Sequence, residues 1–391
     1  MSNVVVKCTI PLSEPEISGN EWKYIKDCLD TRWVSSVGGY VDKFEKMVSE
    51  YAGTKYAVAV VNGTSALHVS LVACGVKPGD EVIVPALTFI APVNAVSYCA
   101  AHSVFMDCDP YTLCIDVQKV IDFIENECER RSDGFTYNKK SKRRIKAIIP
   151  VHIFGHPTDM DALVEICGKN NIDIIEDATE SIGSEYKGKM TGSFGQTGCF
   201  SFNGNKIITT GGGGMVITDN KELAEKIRHL STQAKKDPFE YDHNEIGYNY
   251  RLTNIQAAMG VAQMERLDEF IEIKRRNASL YKELLSRIDN VDFLWEKNWA
   301  KSNFWFYTIK VPNNDKKPLM KFMLGKSIQV RPIWKLIHTL PMYKECQAYD
   351  IENAVGAYET CINLPCSVNL KENEIEMIIR NINEYFCNQV K

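Results

Sequence analysis

The chain has 391 residues, of which 45% are hydrophobic, and a formal net charge of −4. This length and apolar content predict one large domain plus a smaller one, and the small negative charge gives no field that would attract nucleic acid or an anionic membrane. The thirteen cysteines are odd in number and contain no C-x-x-C pair, which favours reduced thiols in a cytoplasm. The first eleven residues lack the ordered regions of a secretion signal, and no apolar run is long enough for membrane insertion.

The segment from about Tyr56 to Asp219 alternates short β-branched runs with helical stretches. Seven runs are predicted as strands: YAVAVV, EVIVPAL, SVFMDCD, RIKAIIPVHI, DIIEDAT, TGCFSFN and GMVITD. Helical windows lie between them, including SALHVSLVACG from Ser65 and DMDALVEICGKN from Asp159, whose first residue is a good helix cap. The pattern predicts an α/β fold with a seven-stranded, mainly parallel sheet and helices on both faces.

A long helix is predicted next, from about Asn254 to Ser286, connecting to a smaller C-terminal α/β domain. The domain prediction is therefore residues 1–255 for the large domain, including the N-terminal segment, and residues 256–391 for the linking helix and small domain. A basic run, KKSKRR from Lys139 to Arg144, is interpreted as an exposed loop that leads into a strand. Holding substrate phosphates is the alternative for this run.

Four residues, Asn62-Gly63-Thr64-Ser65, follow a predicted strand and open a helix. Free backbone N–H groups and small hydroxyls meet at such a position, and the helix dipole favours a bound anion there. A strand-to-helix turn with a simple cap is the alternative interpretation.

The carboxylate of Asp177 ends another predicted strand, at the edge of the sheet where open α/β folds bind ligands. A carboxylate there could keep a bound pyridine ring protonated, and Glu180 could reach the phenolic oxygen of the same ring. Asp177 could instead cap the segment that follows it.

Lys206 follows a further strand and precedes the glycine run Gly211 to Gly214. A lysine amine attacks an aldehyde when its surroundings lower its pKa, and Ser201 would then face the phosphate of the bound group. Phe89, just beyond a strand, could stack on the ring, although an aromatic residue there is commonly part of the core. Asn249 comes after the sheet pattern and could reach a phosphate only by folding back or from a second subunit.

Six stretches occur together in this chain: NGTSALH, DEVIVPALTFIA, VHIFGHPTDM, IEDATESIGSEYKGK, CFSFNGNKIITTGGGGM and IGYNYRLTNIQAAMG. In order and spacing they resemble the DegT/StrS-type sugar aminotransferases, a fold-type-I pyridoxal-phosphate family, over nearly the whole chain.

The resemblance implies pyridoxal 5'-phosphate as cofactor, pyridoxamine 5'-phosphate as the form that carries the amino group, and glutamate as donor. It also implies a cytoplasmic homodimer. The implied cofactor residues are Lys206 as the lysine bound to the cofactor, Asp177 at the pyridine nitrogen, Glu180, Phe89 on the ring face, Gly63, Thr64, Ser65 and Ser201 around the phosphate, and Asn249 donated across the dimer interface.

Within the family, the chain resembles two groups that aminate C4 of 4-keto-6-deoxy sugar nucleotides. The insert before KKSKRR and the segments FNGNKIITTGGGG, STQAK and VRPIWKLIHTLPMY favour the group acting on UDP-linked 2-acetamido sugars in legionaminic acid and N-acetylbacillosamine synthesis. GDP-perosamine synthase is the alternative. Arg331 and His338 are the candidate substrate-binding residues. His338 could line the sugar-nucleotide pocket near Arg331, and a structural role for this histidine is the alternative.

Three other functions fit the sequence less well. Sugar dehydration is disfavoured because relatives with that activity typically carry His where this chain has Lys206. A non-catalytic regulatory protein is a remote alternative. The stretch Gly183 to Lys189 resembles a phosphate-binding P-loop but continues with Met190 instead of Ser or Thr, and no histidine spacing predicts a metal site.

Overall fold

A computed structural model of the protein describes residues 10–237 and 239–389. The first nine residues, where the sequence predicts no secretion signal, lie outside the described part. The strands are β1 (Tyr56–Val60), β2 (Glu81–Pro85), β3 (His102–Met106), β4 (Cys128–Arg130), β5 (Thr136–Asn138), β6 (Ile145–Ile148), β7 (Asp173–Asp177), β8 (Glu185–Tyr186), β9 (Lys189–Met190), β10 (Thr197–Ser201), β11 (Gly214–Thr218), β12 (Lys235–Asp237), β13 (Asp242–His243), β14 (Asp292–Phe293), β15 (Ala300–Lys301), β16 (Tyr307–Lys310), β17 (Arg331–Pro332), β18 (Ala348–Tyr349) and β19 (Cys361–Leu364). The α-helices are α1 (Glu21–Thr31), α2 (Gly39–Ala52), α3 (Gly63–Ala73), α4 (Ala91–Tyr98), α5 (Val117–Glu127), α6 (Met160–Asn170), α7 (Lys221–Ser231), α8 (Asn254–Met264), α9 (Leu267–Leu285), α10 (Asn313–Gly325), α11 (Asn353–Thr360) and α12 (Glu372–Gln389).

All seven predicted strands lie in one sheet, in the order β1-β11-β10-β7-β6-β2-β3-β18. The pairings among β10, β7, β6, β2 and β3 are parallel, and β11 is antiparallel to both of its neighbours. The mainly parallel sheet is therefore confirmed. An eighth strand, β18, extends its edge beside β3, and its two residues are too few to show a strand pattern in the sequence.

Helices cover both faces of this sheet, as predicted. Along β2, Val82 and Val84 belong to one buried apolar cluster and Ile83 to another, because alternate side chains of a strand point to opposite faces. The first cluster contains residues of α3 and α4, and the second contains residues of α5 and α6. Burial on both faces is why these strands read as nearly continuous apolar runs.

The helix predicted from Asn254 to Ser286 is in fact two helices, α8 and α9. Arg266 interrupts them with φ −120° and ψ 5°, and its guanidinium pairs with Glu269 in the first turn of α9, 2.6 Å away. The charged and apolar residues continue through the break, so the sequence pattern does not reveal it. In α6, Asp159 occupies the N-cap position as predicted, but its carboxylate accepts a hydrogen bond from the Tyr186 hydroxyl at 2.7 Å instead of capping the helix.

The C-terminal part of the chain forms a second, antiparallel sheet in the order β14-β16-β19-β17. The division at residue 255 stays a prediction. At least two strands cross it, since β18 returns from the C-terminal part to the large sheet and β15 pairs with β8.

The basic run from Lys139 to Arg144 follows the β4–β5 hairpin and leads into β6. Its lysines are exposed, in agreement with the predicted surface loop. The cysteines that the structure describes all carry free thiols. In residues 10–237 and 239–389, no helix combines the length and the apolar character needed to cross a membrane.

Candidate active site

A cavity of about 850 Å³ opens at the carboxyl edge of the large sheet. The segments that follow β1, β2, β7 and β10 line one side of it, because the carboxyl ends of parallel strands meet at the same edge. The C-terminal part of the chain supplies the other side. The principal lining residues of the whole cavity are Asn62, Gly63, Thr64, Phe89, Thr179, Glu180, Ser201, Asn203, Lys206, Gln256, Trp305, Arg331, Trp334, Lys335 and Asn363.

Lys206 is held inside this cavity, with 12% of its side chain exposed. Its Nζ atom lies 3.6 Å from Oε1 of Glu180 and 3.8 Å from the centroid of the Trp305 ring. Burial lowers the pKa of the Lys206 amine, and the charges of Glu180 and Asp177 partly oppose that effect. A lowered pKa increases the neutral fraction of the amine, which is the form that attacks a carbonyl carbon.

Glu180 is the buried partner of this lysine. One of its oxygens accepts a hydrogen bond of 2.8 Å from the backbone N–H of Phe154. Phe154 has a φ of 56°, a left-handed conformation that costs energy for a residue with a side chain and that often marks functional sites. Burial raises the pKa of the Glu180 carboxyl to about 7, while the Lys206 ammonium lowers it and Asp177 raises it. Glu180 can therefore hold or release a proton near neutral pH.

Asp177 is the last residue of β7 and is 3% exposed. Its Oδ1 atom accepts a hydrogen bond from the backbone N–H of Thr179 at 3.1 Å, so the capping role that the sequence left open is present. Burial raises the pKa of this carboxyl, and the hydrogen bonds from Thr179 lower it. Asp177 does not itself line the cavity, but Thr179, whose backbone N–H donates to it, does.

The start of α3, where the sequence predicts an anion-binding turn, lines the cavity. Asn62 caps the helix by accepting a hydrogen bond of 2.8 Å from the backbone N–H of Ser65, so the N–H groups of Gly63 and Thr64 are the first-turn donors that remain for a ligand. The Gly63 position has no room for a side chain, because a Cβ atom there would lie 2.9 Å from Cβ of Ser201. Thr64 and Ser201 line the cavity beside it.

Aromatic side chains form one wall of the cavity. Phe89 is 52% exposed, and its ring centroid lies 5.9 Å from that of Trp334. Trp334 also packs against Phe154 at 4.8 Å and against Trp305 at 6.2 Å. The exposed face of Phe89 is available to a planar ring.

Four of the residues predicted for the site do not line this cavity in the described chain, namely Ser65, Asp177, Asn249 and His338. Ser65 is buried, and its backbone N–H donates a hydrogen bond to the Asn62 side chain that caps the helix. Asn249 is exposed and does not line the cavity of its own chain. His338 packs with its ring 6.3 Å from that of Phe105, so its predicted place beside Arg331 in the cavity is not where the structure has it.

Trp305, Trp334 and Lys335 line the cavity without having been singled out from the sequence. The segment containing Trp334 and Lys335 was noted only for its family likeness. Trp305 donates its indole N–H to the backbone oxygen of Asn205 at 2.7 Å, a contact between residues one hundred positions apart. A pattern in a short stretch of sequence cannot predict a contact between residues so far apart.

These side chains fit pyridoxal phosphate. The amine of Lys206 suits an aldehyde, the buried Asp177 carboxylate suits a protonated ring nitrogen, and the Gly63 cradle with its hydroxyls suits a phosphate. The Gly63 cradle is the most specific of these features, since the close approach of Ser201 leaves no room there for a Cβ atom.

The chain is similar to known proteins over most of its length. Residues 15–383 match the DegT/DnrJ/EryC1/StrS aminotransferase family. The chain is 39% identical over 379 residues to GDP-perosamine synthase from Caulobacter vibrioides, covering 96% of this chain and 98% of that protein. It is 31% identical over 363 residues to UDP-4-amino-4,6-dideoxy-N-acetyl-beta-L-altrosamine transaminase from Campylobacter jejuni, covering 90% and 92%. A crystal structure of a DegT DnrJ EryC1 StrS aminotransferase from Brucella abortus superposes with a TM-score of 0.86 at 29% identity, covering 94% of this chain and 95% of that one. The chain belongs to the DegT/DnrJ/EryC1/StrS aminotransferase family.

Proposed function

We propose that this aminotransferase, whose cofactor is pyridoxal phosphate, transfers an amino group from glutamate to C4 of a nucleotide-linked 4-keto-6-deoxyhexose. The observation that carries the proposal is the position of Lys206, whose amine lies in a large cavity 3.6 Å from the buried carboxyl group of Glu180. A cavity of about 850 Å³ is at the upper end of the range for small-molecule sites. It has room for a substrate larger than an amino acid.

The residues divide the chemistry between them. When bound, pyridoxal phosphate supplies an aldehyde for a lysine amine and a ring that accepts electrons from a developing carbanion. The Lys206 amine holds the cofactor and, when free, can accept a proton at Nζ and return it. Asp177 would offer its carboxyl group to the ring nitrogen at the buried end of the site, and Glu180 can hold a proton beside Nζ because burial raises its pKa to about 7.

For the nucleotide, we propose UDP, carried on a 2-acetamido-2,6-dideoxy-4-keto-hexose used for surface glycan or nonulosonic acid synthesis. The support is the likeness of four segments to enzymes that act on this substrate, one of which contains Arg331, Trp334 and Lys335 in the cavity wall. The second candidate is GDP-4-keto-6-deoxymannose. The greater whole-chain identity to the Caulobacter GDP-perosamine synthase favours it.

We also propose that two copies of the chain share their active sites, with Asn249 reaching the cofactor phosphate of the partner. Asn249 is exposed and does not line the cavity of its own chain. Several large apolar side chains near the N-terminal end are also exposed, namely Trp22, Leu29, Trp33 and Val37. An exposed apolar patch of this kind is typical of an interface. Light scattering should give a dimer mass, and Asn249→Ala should weaken pyridoxal phosphate binding without dissociating that dimer.

The decisive experiment incubates the holoenzyme with glutamate and, in parallel, UDP- and GDP-linked 4-keto-6-deoxy sugars. Mass spectrometry follows 2-oxoglutarate and the aminated sugar. Amination of the UDP 2-acetamido sugar alone supports the preferred substrate, and amination of the GDP sugar alone supports the second candidate. If glutamate is converted to 2-oxoglutarate but no sugar is aminated, the substrate proposal is wrong.

A further inference from the structure

A buried histidine outside the cavity, His152, is held at both of its ring nitrogens. His152 is 0% exposed and does not line the cavity. Its Nδ1 atom accepts a hydrogen bond of 3.0 Å from the backbone N–H of Thr158, so the ring proton is on Nε2. That nitrogen donates to Oε2 of Glu176, 3.0 Å away. The ring therefore bridges the end of β7 and the segment from residue 152 to residue 158.

Glu176 is a fixed point of attachment for this ring. Its carboxylate is 0% exposed and accepts hydrogen bonds from the backbone N–H groups of Gly192, Phe194 and Gly195 at 2.7, 2.6 and 2.7 Å. Together with His152, these donors occupy the four acceptor positions of a carboxylate. A buried polar group that moved away would lose these partners at a high cost in energy. The His152 ring is therefore held in one orientation.

The segment that follows His152 presents a backbone N–H to the active site. Phe154, two residues further on, donates its N–H to Oε2 of Glu180 at 2.8 Å. The other oxygen of Glu180 lies 3.6 Å from Nζ of Lys206. Two short steps therefore connect the backbone beside His152 with the amine in the cavity.

The left-handed bend at Phe154, where φ is 56°, has to be held from both sides. A residue with a side chain keeps such a conformation only where the surrounding contacts enforce it. On the C-terminal side, the carbonyl of Gly155 accepts hydrogen bonds from the hydroxyls of Ser184 and Ser302 at 2.7 and 2.9 Å. On the N-terminal side, the ring of His152 supplies the side-chain contacts.

We propose that His152 is a positioning residue of the active site, which holds the Phe154 N–H on Glu180 and thereby fixes the carboxyl group beside the Lys206 amine. The inference rests on the role proposed for Lys206 and extends the site to a residue that does not line the cavity.

The charge beside the amine gives this role a measurable consequence. Burial raises the pKa of the Glu180 carboxyl, and the hydrogen bond from Phe154 opposes that rise. Besides burial, the charges of Glu180 and Asp177 act on the pKa of the Lys206 amine. Loss of the Phe154 hydrogen bond should therefore protonate Glu180 more readily and lower the pKa of the amine, which is the effect expected of Glu180→Gln.

Amide hydrogen exchange in the holoenzyme, followed by mass spectrometry, tests the first step. His152→Asn keeps an acceptor for Thr158 but is too short to reach Glu176, so exchange at Phe154 should become about tenfold faster. His152→Gln, which is longer by one methylene, restores an N–H donor for Glu176 and should exchange nearly as the wild type does. His156→Asn is the matched control, because His156 is buried in the same segment but packs edge-on to Phe304.

The pH midpoint for attachment of pyridoxal phosphate, followed by its absorbance, tests the second step. His152→Asn should shift the midpoint lower, in the direction of Glu180→Gln and by a smaller amount. Combined with Glu180→Gln it should add no further shift, because a residue that acts through another is not additive with it. His152→Gln should return the midpoint to near the wild-type value.

The inference is overturned if exchange at Phe154 is unchanged in His152→Asn or if His156→Asn has the same effects. It is also overturned if the shift of the midpoint persists in the Glu180→Gln background. Nitrogen NMR of the wild type needs no variant: it should find the His152 ring proton on Nε2, and a proton on Nδ1 would refute the bridge. None of these readouts uses a sugar substrate, so the inference can hold when no keto sugar is aminated and can fail when one is.

Discussion

Burial of the His156 side chain, in the VHIFGHPTDM stretch, should make the stability of the protein depend on pH. This side chain is 2% exposed and its ring lies edge-on to Phe304, with centroids 5.4 Å apart. Burial lowers the pKa of His156 to about 4; the charge of Glu296 opposes this shift and that of Arg275 adds to it. Glu296 and Arg275 are paired with each other at 2.7 Å, so their effects on the ring largely offset and burial dominates.

The sign of the effect follows from the two states. Above the unfolded pKa of about 6.5, His156 is neutral in both the folded and the unfolded state, so its titration takes nothing from the stability of the folded protein. As the pH falls below that value, the unfolded chain binds a proton that the folded chain excludes until about pH 4, so stability decreases. The full difference is about 3 kcal/mol, of which about 2 kcal/mol is lost between pH 8 and pH 5.

The measurement is the free energy of unfolding in urea at pH 8 and at pH 5, with pyridoxal phosphate in constant excess. His156→Gln removes the titration, so its stability relative to the wild type should be about 2 kcal/mol better at pH 5 than at pH 8. His156→Phe should differ from the wild type in stability by another constant amount, but its stability relative to the wild type should change between the two pH values as that of His156→Gln does. A difference between variant and wild type that stays constant across the two pH values would refute the assignment of a buried, neutral His156.

Three further predictions concern the active site and the backbone beneath it. Lys206→Ala should abolish amino transfer and prevent borohydride from fixing pyridoxal phosphate to the protein, measured as added mass, whereas near-wild-type turnover would contradict its assigned role. Glu180→Gln removes a charge that raises the pKa of Lys206, so the pH midpoint for attachment of pyridoxal phosphate should shift lower; an unchanged midpoint would show that the two groups do not interact. Gly155→Ala should lower stability by roughly 2–6 kcal/mol, because φ is 92° and the new Cβ would meet Oδ1 of Asn303 at 1.9 Å. Its control is Gly356→Ala, at an exposed position of α11 where a Cβ atom would meet nothing within 4 Å. This substitution should raise the thermal midpoint slightly, and equal effects of the two substitutions would contradict the steric argument.

The sequence alone determined the large sheet and the side of the cavity built on it. Short, β-branched apolar runs start at Tyr56, Glu81 and Asp173, and β1, β2 and β7 form there. Thr64, Glu180 and Lys206 lie a few residues after the ends of strands, so the prediction of the strands also predicted where these residues lie. Local patterns carry this information because a strand and the turn after it occupy only a short window of sequence.

Tertiary structure decided the other side of the cavity. Trp305 reaches the Lys206 amine from the C-terminal part of the chain, and the two-residue strand β18 joins the large sheet. His338 belongs to a short 3-10 helix and packs on Phe105 instead of facing the cavity. These positions depend on contacts between residues about a hundred or more apart, which are set by how whole elements pack and leave no periodic trace in the sequence.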